Sequence, residues 1–193
     1  PPRSTLFPYT TLFRSRQWEK TMGNNPSYYK GADRPVERVS WTEAQAYVDR
    51  LNELSPLADG WKWSLPTEAQ WEYACRAGTK TAYSGGEALD GRQAKVKGSG
   101  AAETAPVGED KANEWGLHDM HGNVREWCLD WHSAKLPGGT DPTGADSGTV
   151  RARRGGSWNH ESASCRSASR HKGPPEDRNS DLGVRLAVVP ADP

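Results

Sequence analysis

The stretch Asn113–Trp131, NEWGLHDMHGNVREWCLDW, decides how the chain is read. It holds Trp115, Trp127 and Trp131, and Trp158 follows in GGSW, so four of the nine tryptophans flank one short polar turn. Large aromatics dominate core energetics, and anchors of this size on both sides of Gly122-Asn123 predict a loop held in one shape by its surroundings. Within the turn, Asp119 and Glu126 stand seven residues apart across a glycine that can bend the backbone inward. A hard cation such as calcium takes six to eight oxygens, and the two carboxylates with the carbonyls of Gly122 and Val124 offer part of such a set. The spacing alone fits an Asx-turn with two solvated acids equally well, because the full EF-hand pattern is absent. His118 and His121 raise zinc instead, but no third or fourth nitrogen or sulfur ligand follows at zinc-like spacing.

Outward from this centre, several separated motifs keep a fixed order: PTEAQWEYACRAG at 66–78, GLHDMHGNVREWCLDW at 116–131, RRGGSW at 153–158, RSASR at 166–170 and PPEDRNSDLGVRL at 174–186. Together they resemble the formylglycine-generating enzyme family, also called sulfatase-modifying factor domains, over about Arg16 to Val189. The resemblance implies an α+β, C-type-lectin-like fold with little regular secondary structure and with bound calcium. It assigns the calcium ligands to Asp119, Gly122, Val124 and Glu126. The segment that supplies a second calcium site in the family is not recognisable between Thr79 and Glu109, so a second metal is not expected.

Toward the N-terminus the character of the chain changes abruptly. Thr5–Ser15, TLFPYTTLFRS, looks like a translated sequencing adapter. Residues 1–15 are therefore expected to be non-native, and residues 16–193 to be a single domain truncated at its start. A hairpin is the alternative for this leader, since Leu6, Phe7, Tyr9, Leu12 and Phe13 suit strands. Twenty-five basic residues balance twenty-five acidic ones, and mean hydropathy is −0.90. The electrostatic footprint of a nucleic-acid binder is absent, and no run approaches the length of a membrane span.

Local signals place the helices. Gln17–Met22 reads as a short helix stopped at Gly23. Ser40-Trp41-Thr42-Glu43 is a capping box, followed at helical spacing by Trp41, Ala44, Val48, Leu51 and Leu54 as far as Pro56. Thr67-Glu68-Ala69-Gln70 is a second box, opening a helix that Gly78 closes. Tyr28 and Tyr29 are expected over the core edge, with the lining of a ligand site as the alternative. Strands are predicted over Val150–Trp158 and, half-buried with Val184, Leu186 and Val188 on one face, over Leu182–Val188. Gly155-Gly156 marks a ligand-facing bend or a tight packing point. Arg166, Arg170, Arg178 and Arg185, among Glu176, Asp177 and Asp181, predict an internal lattice of fork-geometry bonds, with an anion site as the alternative.

Catalysis turns on cysteine. The family's oxidases convert a sulfatase cysteine to formylglycine with copper held by two active-site cysteines just beyond GGS, and soft thiolates select Cu(I). Here Cys165 is the only cysteine in that region, His160 stands where the first of the pair falls, and Ser157 matches the serine of GGS. Arg125 replaces the family's tryptophan before the glutamate. Cys165, Ser157 and His160 are the candidate catalytic residues. Cys75 and Cys128 read as buried apolar thiols, and a Cys128–Cys165 disulfide stays open. The broken pair favours a ligand-binding or accessory module over an enzyme, with loops 159–180 as the surface for a protein or small-molecule ligand. Variable proteins of diversity-generating retroelements are relatives of that kind. The alternative is the copper oxidase acting on a sulfatase peptide; a mononuclear iron relative would need a histidine triad on a further helical domain.

Overall fold

Two of the three helices begin where side chains take up their free N–H groups. Ser40 Oγ accepts from the Glu43 N–H at 3.2 Å while Glu43 Oε2 accepts from the Ser40 N–H at 2.8 Å. Thr67 and Gln70 repeat the exchange at 3.1 and 2.9 Å. Such caps contribute about 1 kcal/mol each, and they set the starts of α2 (Trp41–Leu54) and α3 (Glu68–Arg76). The first helix, α1 (Ser15–Met22), stops at Gly23, whose φ of 77° is left-handed. Ala77 with φ 45° ends α3 one residue before the expected Gly78.

The computed structural model describes residues 12–58, 60–89, 94–136 and 138–191. Among these, the strands are β1 (Trp61–Ser64), β2 (Arg125–Trp131), β3 (Arg151–Arg154), β4 (His171–Gly173), β5 (Leu182–Gly183) and β6 (Ala187–Pro190), with one 3-10 turn at Ser162–Cys165. One sheet runs β4-β3-β2-β5 and the other pairs β1 with β6. In the first, Glu126 and Trp127 of β2 lie opposite Arg154 and Arg153 of antiparallel β3, and a bulge precedes the Trp131–Arg151 pair. Parallel β5 lies on the other side of β2, with Arg125 opposite Leu182. The central stretch of the sequence is thus the inner strand of the larger sheet. The architecture is the mixed, irregular α+β type expected, and strands are shorter than the sequence predicts. The strand expected to run to Trp158 ends at Arg154, and the one over Leu182–Val188 divides into β5 and β6. That segment is buried on both faces rather than half-buried, because β2, Glu37 and Leu12 pair along it while Leu182, Val184 and Leu186 enter the main core.

The main core joins Phe13, Trp18, Val36, Tyr47, Leu65, Trp127 and Leu186. A second cluster packs Trp71, Ala74 and Cys75 of α3 against Leu117, Met120 and Cys128. The indole of Trp127 is fully buried, but Trp115 is 41% exposed, so the anchors of the central stretch are unequal. Leu54 also faces solvent. Its helix bends its apolar side onto the core through Ala44, Tyr47 and Val48, and the last turn runs past the edge. Within the leader, Leu12 bridges Arg185 and is fully buried, while Phe13 meets Tyr47 edge-on at 5.3 Å. Residues 1–11, including Leu6, Phe7 and Tyr9, lie outside the described residues.

Candidate functional site

The site grows from the end of β3. Gly155 and Gly156 have φ of 94° and 67°, conformations open mainly to glycine. Space demands glycine as well: a Cβ at Gly156 would overlap the Cys165 sulfur, and one at Gly155 would meet Trp71 at 3.2 Å. The glycine pair is therefore a packing point over Cys165 and Trp71. It delivers Ser157 into the interior, where its Oγ donates to Asp181 Oδ2 at 2.9 Å and lies 2.6 Å from His160 Nδ1. Asp181 Oδ1 accepts from Arg125 at 2.6 Å. Arg125, where the family carries tryptophan, thus holds the carboxylate on which Ser157 and His160 hang. Burial, followed by the charge of Arg125, pushes the His160 pKa below its ordinary value.

Cys165 is fully buried, with Sγ 3.7 Å from the Glu161 carbonyl. Burial pushes its thiol up to about 11. Cys75 lies against His121 and Ser167, its thiol pushed up to about 12, and Cys128 is raised well above the ordinary range, both mainly by burial. All three are free thiols, so the Cys128–Cys165 bridge is not formed. At neutral pH these are protonated sulfurs, and thiolate is the form that ligates metal or attacks. His160 is turned toward Ser157, so Cys165 and His160 do not form a pair.

At the central turn, neither acid is solvated. Asp119 is 4% exposed; its Oδ2 accepts from the Gly108 N–H at 2.8 Å, and Oδ1 is buried without a partner. Its pKa rises to about 6, chiefly through burial. Glu126 Oε2 accepts from Trp71 Nε1 at 2.5 Å and Arg185 Nε at 2.9 Å, while Oε1 accepts from Arg185 at 2.9 Å. Asp119 and Asn123 both take left-handed φ, 61° and 62°, with Gly122 at 152° between them. A Cβ at Gly122 would overlap the Lys95 carbonyl, so the Gly-rich segment before the turn is its outer wall. His121 is satisfied at both nitrogens, by the Cys165 carbonyl and by Ser84, each at 2.9 Å.

The arginine lattice exists: Asp177 and Asp181 take part as expected, and Glu68, Glu72 and Glu126 join them. Arg185 binds Glu126 and the His118 carbonyl. Arg170 grips Glu68 with two bonds of 2.7 Å, and Arg154 reaches Glu72 and the Ser169 carbonyl. Arg153 pairs with Asp177 at 2.5 Å and lies over the Trp127 ring. The acids come largely from α3 and β2, whereas Arg166 and Arg178 stay at the surface. Above this lattice, Asn159, Glu161, Ser162, Ala163, Arg166, Ala168, Lys172, Glu176, Arg178 and Asn179 are exposed, while Cys165, Ser167, Gly173 and Asp181 between them are buried. Backbone bonds from Lys97 to His160 and from Ser167 to Ala82, both 2.9 Å, fix the frame. Tyr28, 63% exposed, stands edge-on to Tyr29, which stands edge-on to Trp158. This aromatic row, expected over the core edge, borders the exposed loops.

A polar loop surface carried on a buried salt lattice and two small sheets defines a C-type-lectin-like scaffold domain. The sulfatase-modifying factor enzyme 1-like domain matches residues 9–189, and the chain belongs to that family. It is 33% identical to the formylglycine-generating enzyme of Streptomyces coelicolor, covering 93% of this chain and 60% of that one. It is 34% identical to the chaperone protein LppX of Paenibacillus barcinonensis, over 74% of this chain and 65% of the relative. The chain therefore spans less than two thirds of the length of these curated relatives. Among solved structures, Treponema denticola variable protein 1 superposes with a TM-score of 0.85 at 30% identity, covering 92% of this chain and 82% of that one.

Proposed function

We propose that this domain is a ligand-binding module of the variable-protein kind, with loops 159–180 as its recognition surface, and that it is not a formylglycine-generating oxidase. One observation carries the reading: Cys165, the only cysteine beside the glycine-glycine-serine bend, is fully buried and forms no disulfide. Copper held by two thiolates does not fit this donor set, and no step is derived through it. The exposed residues of 159–180 stand on a frame fixed from below, so they can change without disturbing the fold. Likeness to a variable protein over most of both chains supports the same reading. Calcium fits the central turn, because among the described residues Asp119 Oδ1 is a buried oxygen without a partner and Glu126 Oε1 accepts a single bond. Asp119, Glu126 and the carbonyls of Gly122 and Val124 would hold it, and its charge would lock the turn on which β2 begins.

The test is incubation of the folded protein with copper, oxygen and a peptide carrying Cys-x-Pro-x-Arg, read by mass spectrometry. The peptide cysteine is expected to stay unchanged. Its conversion to an aldehyde would overturn the binding-module reading. A near-identical copy of the DNA encoding RGGSW to GVRL close to the gene is the genomic result expected of a retroelement variable protein.

A further inference from the structure

We propose that the cavity between the start of α2 and the far ends of β2 and β3 binds a small molecule that carries a carboxylate on a short apolar body. The cavity holds about 260 Å3, and Trp41, Leu129, Trp131 and Arg151 line it together with Asp130 and Asp146. That is just below the roughly 300–1,000 Å3 of sites for drug-sized ligands, so its occupant has few heavy atoms. It opens where Trp131 of β2 pairs with Arg151 of β3, whereas Ser157 follows the opposite end of β3. The proposal therefore goes beyond the binding-module reading and does not rest on it.

Arg151 carries the argument. Its guanidinium stands between two indoles, 3.6 Å from the Trp41 ring centre and 3.5 Å from that of Trp131. Stacking on both faces fixes the plane of the fork and leaves its edges for hydrogen bonds. Nη1 donates to the Leu129 carbonyl at 2.6 Å. Among the described residues Nε is buried without a partner, and no carboxylate forms an ion pair with this arginine. The arginines of the lattice differ: Arg125 pairs with Asp181, Arg154 with Glu72, Arg170 with Glu68 and Arg185 with Glu126. Burial lowers the Arg151 pKa and outweighs the field of Asp130. Two acids line the cavity, but each is answered elsewhere. Asp130 Oδ2 accepts from the Glu68 N–H at 2.6 Å, where the positive end of α3 offsets its charge. The Gly144 backbone lies against the same side chain, since a Cβ there would come within 2.6 Å of Asp130 Cβ. Asp146 is exposed, where water and salt screen it. The desolvated guanidinium is thus the charge left short of a partner, and a carboxylate at Nη2 supplies both the counter-charge and an acceptor. Trp41, Leu129 and Trp131 offer the apolar wall for the rest of the molecule.

The experiment uses the full chain, with benzoate as the probe and benzamide as its uncharged isostere. Proton–nitrogen spectra follow the Nε–H of Arg151 and the indole N–H groups of Trp41 and Trp131 during each titration. Benzoate is expected to shift all three signals saturably and to bind at least about tenfold more tightly than benzamide, with an advantage that shrinks as salt is added. Arg151→Gln should abolish the preference for benzoate, and Ala145→Phe at the exposed rim of the cavity should weaken both probes. Equal affinity for the two probes, a preference that survives Arg151→Gln, or wild-type spectra without a saturable benzoate shift would overturn the site. The wild-type comparison of benzoate with benzamide decides the matter even where a variant fails to fold.

Discussion

Glu126–Arg185 and Glu43–Arg178 are the same chemical pair in two settings. The closest nitrogen–oxygen distances are nearly equal, 2.9 and 2.8 Å, but the first pair has no exposed side-chain surface and the second is 38% and 55% exposed. Under the sheet, each charge depends on the other, because water cannot replace a lost partner. At the surface, water and salt take over when one side chain is removed. The buried lattice therefore specifies the fold, and the exposed loops above it are free to specify a ligand.

Removing one member of the buried pair gives the largest effect expected. Glu126→Ala removes the carboxylate that Arg185 faces in the interior and should cost about 3–5 kcal/mol, read as a fall in the urea midpoint at unchanged slope. Pairing it with Arg185→Met should return part of that loss, and a double variant as unstable as the single would break the argument.

Calcium comes next. At about a hundredfold excess over its dissociation constant it should add about 2–3 kcal/mol to the wild type, seen as a rise in melting temperature, and nothing to Asp119→Ala. An equal rise in both proteins would place the ion elsewhere.

A smaller effect isolates burial without a partner cation. Glu37 is fully buried; Oε1 accepts from the Tyr29 N–H at 2.7 Å, Oε2 has no partner, and burial raises its pKa from 4.5 to about 7. Because the folded pKa lies above the unfolded one, the stability this group contributes is full below about pH 4.5 and is lost as pH rises through about 7. The stability of Glu37→Gln relative to wild type should therefore climb by on the order of 1 kcal/mol between those limits and stay level above them. A flat difference across pH 4.5–7 would refute the assignment.

Smallest of all, Arg178→Ala should move the melting temperature by less than about 2 °C, although it alters the proposed recognition surface. A larger loss would show that this exposed pair belongs to the lattice after all.

The legible parts of the fold were those encoded within a few residues. Ser40 with Glu43 and Thr67 with Gln70 announced two helices, since cap and capped group are three residues apart. That Cys165 has no second cysteine near the glycine-glycine-serine bend was legible by counting, whereas its being a free thiol was not. The contact of Ser157 and His160 with Asp181 was not legible, because it depends on segments 24 residues apart meeting. The role of Arg125 was equally hidden: its replacement of a tryptophan was visible, but its carboxylate partner lies 56 residues away.

By itself, the sequence determined the family, the helix starts and the absence of a cysteine pair, because each is carried by a local pattern or by the ordered series of motifs. Only the tertiary structure decided which acid neutralises which base, which glycines lie under a sulfur, and which loop residues face solvent. Those choices follow from burial, and burial is a property of how distant segments pack: Arg185 is silent in the chain until Glu126, 59 residues away, is folded against it.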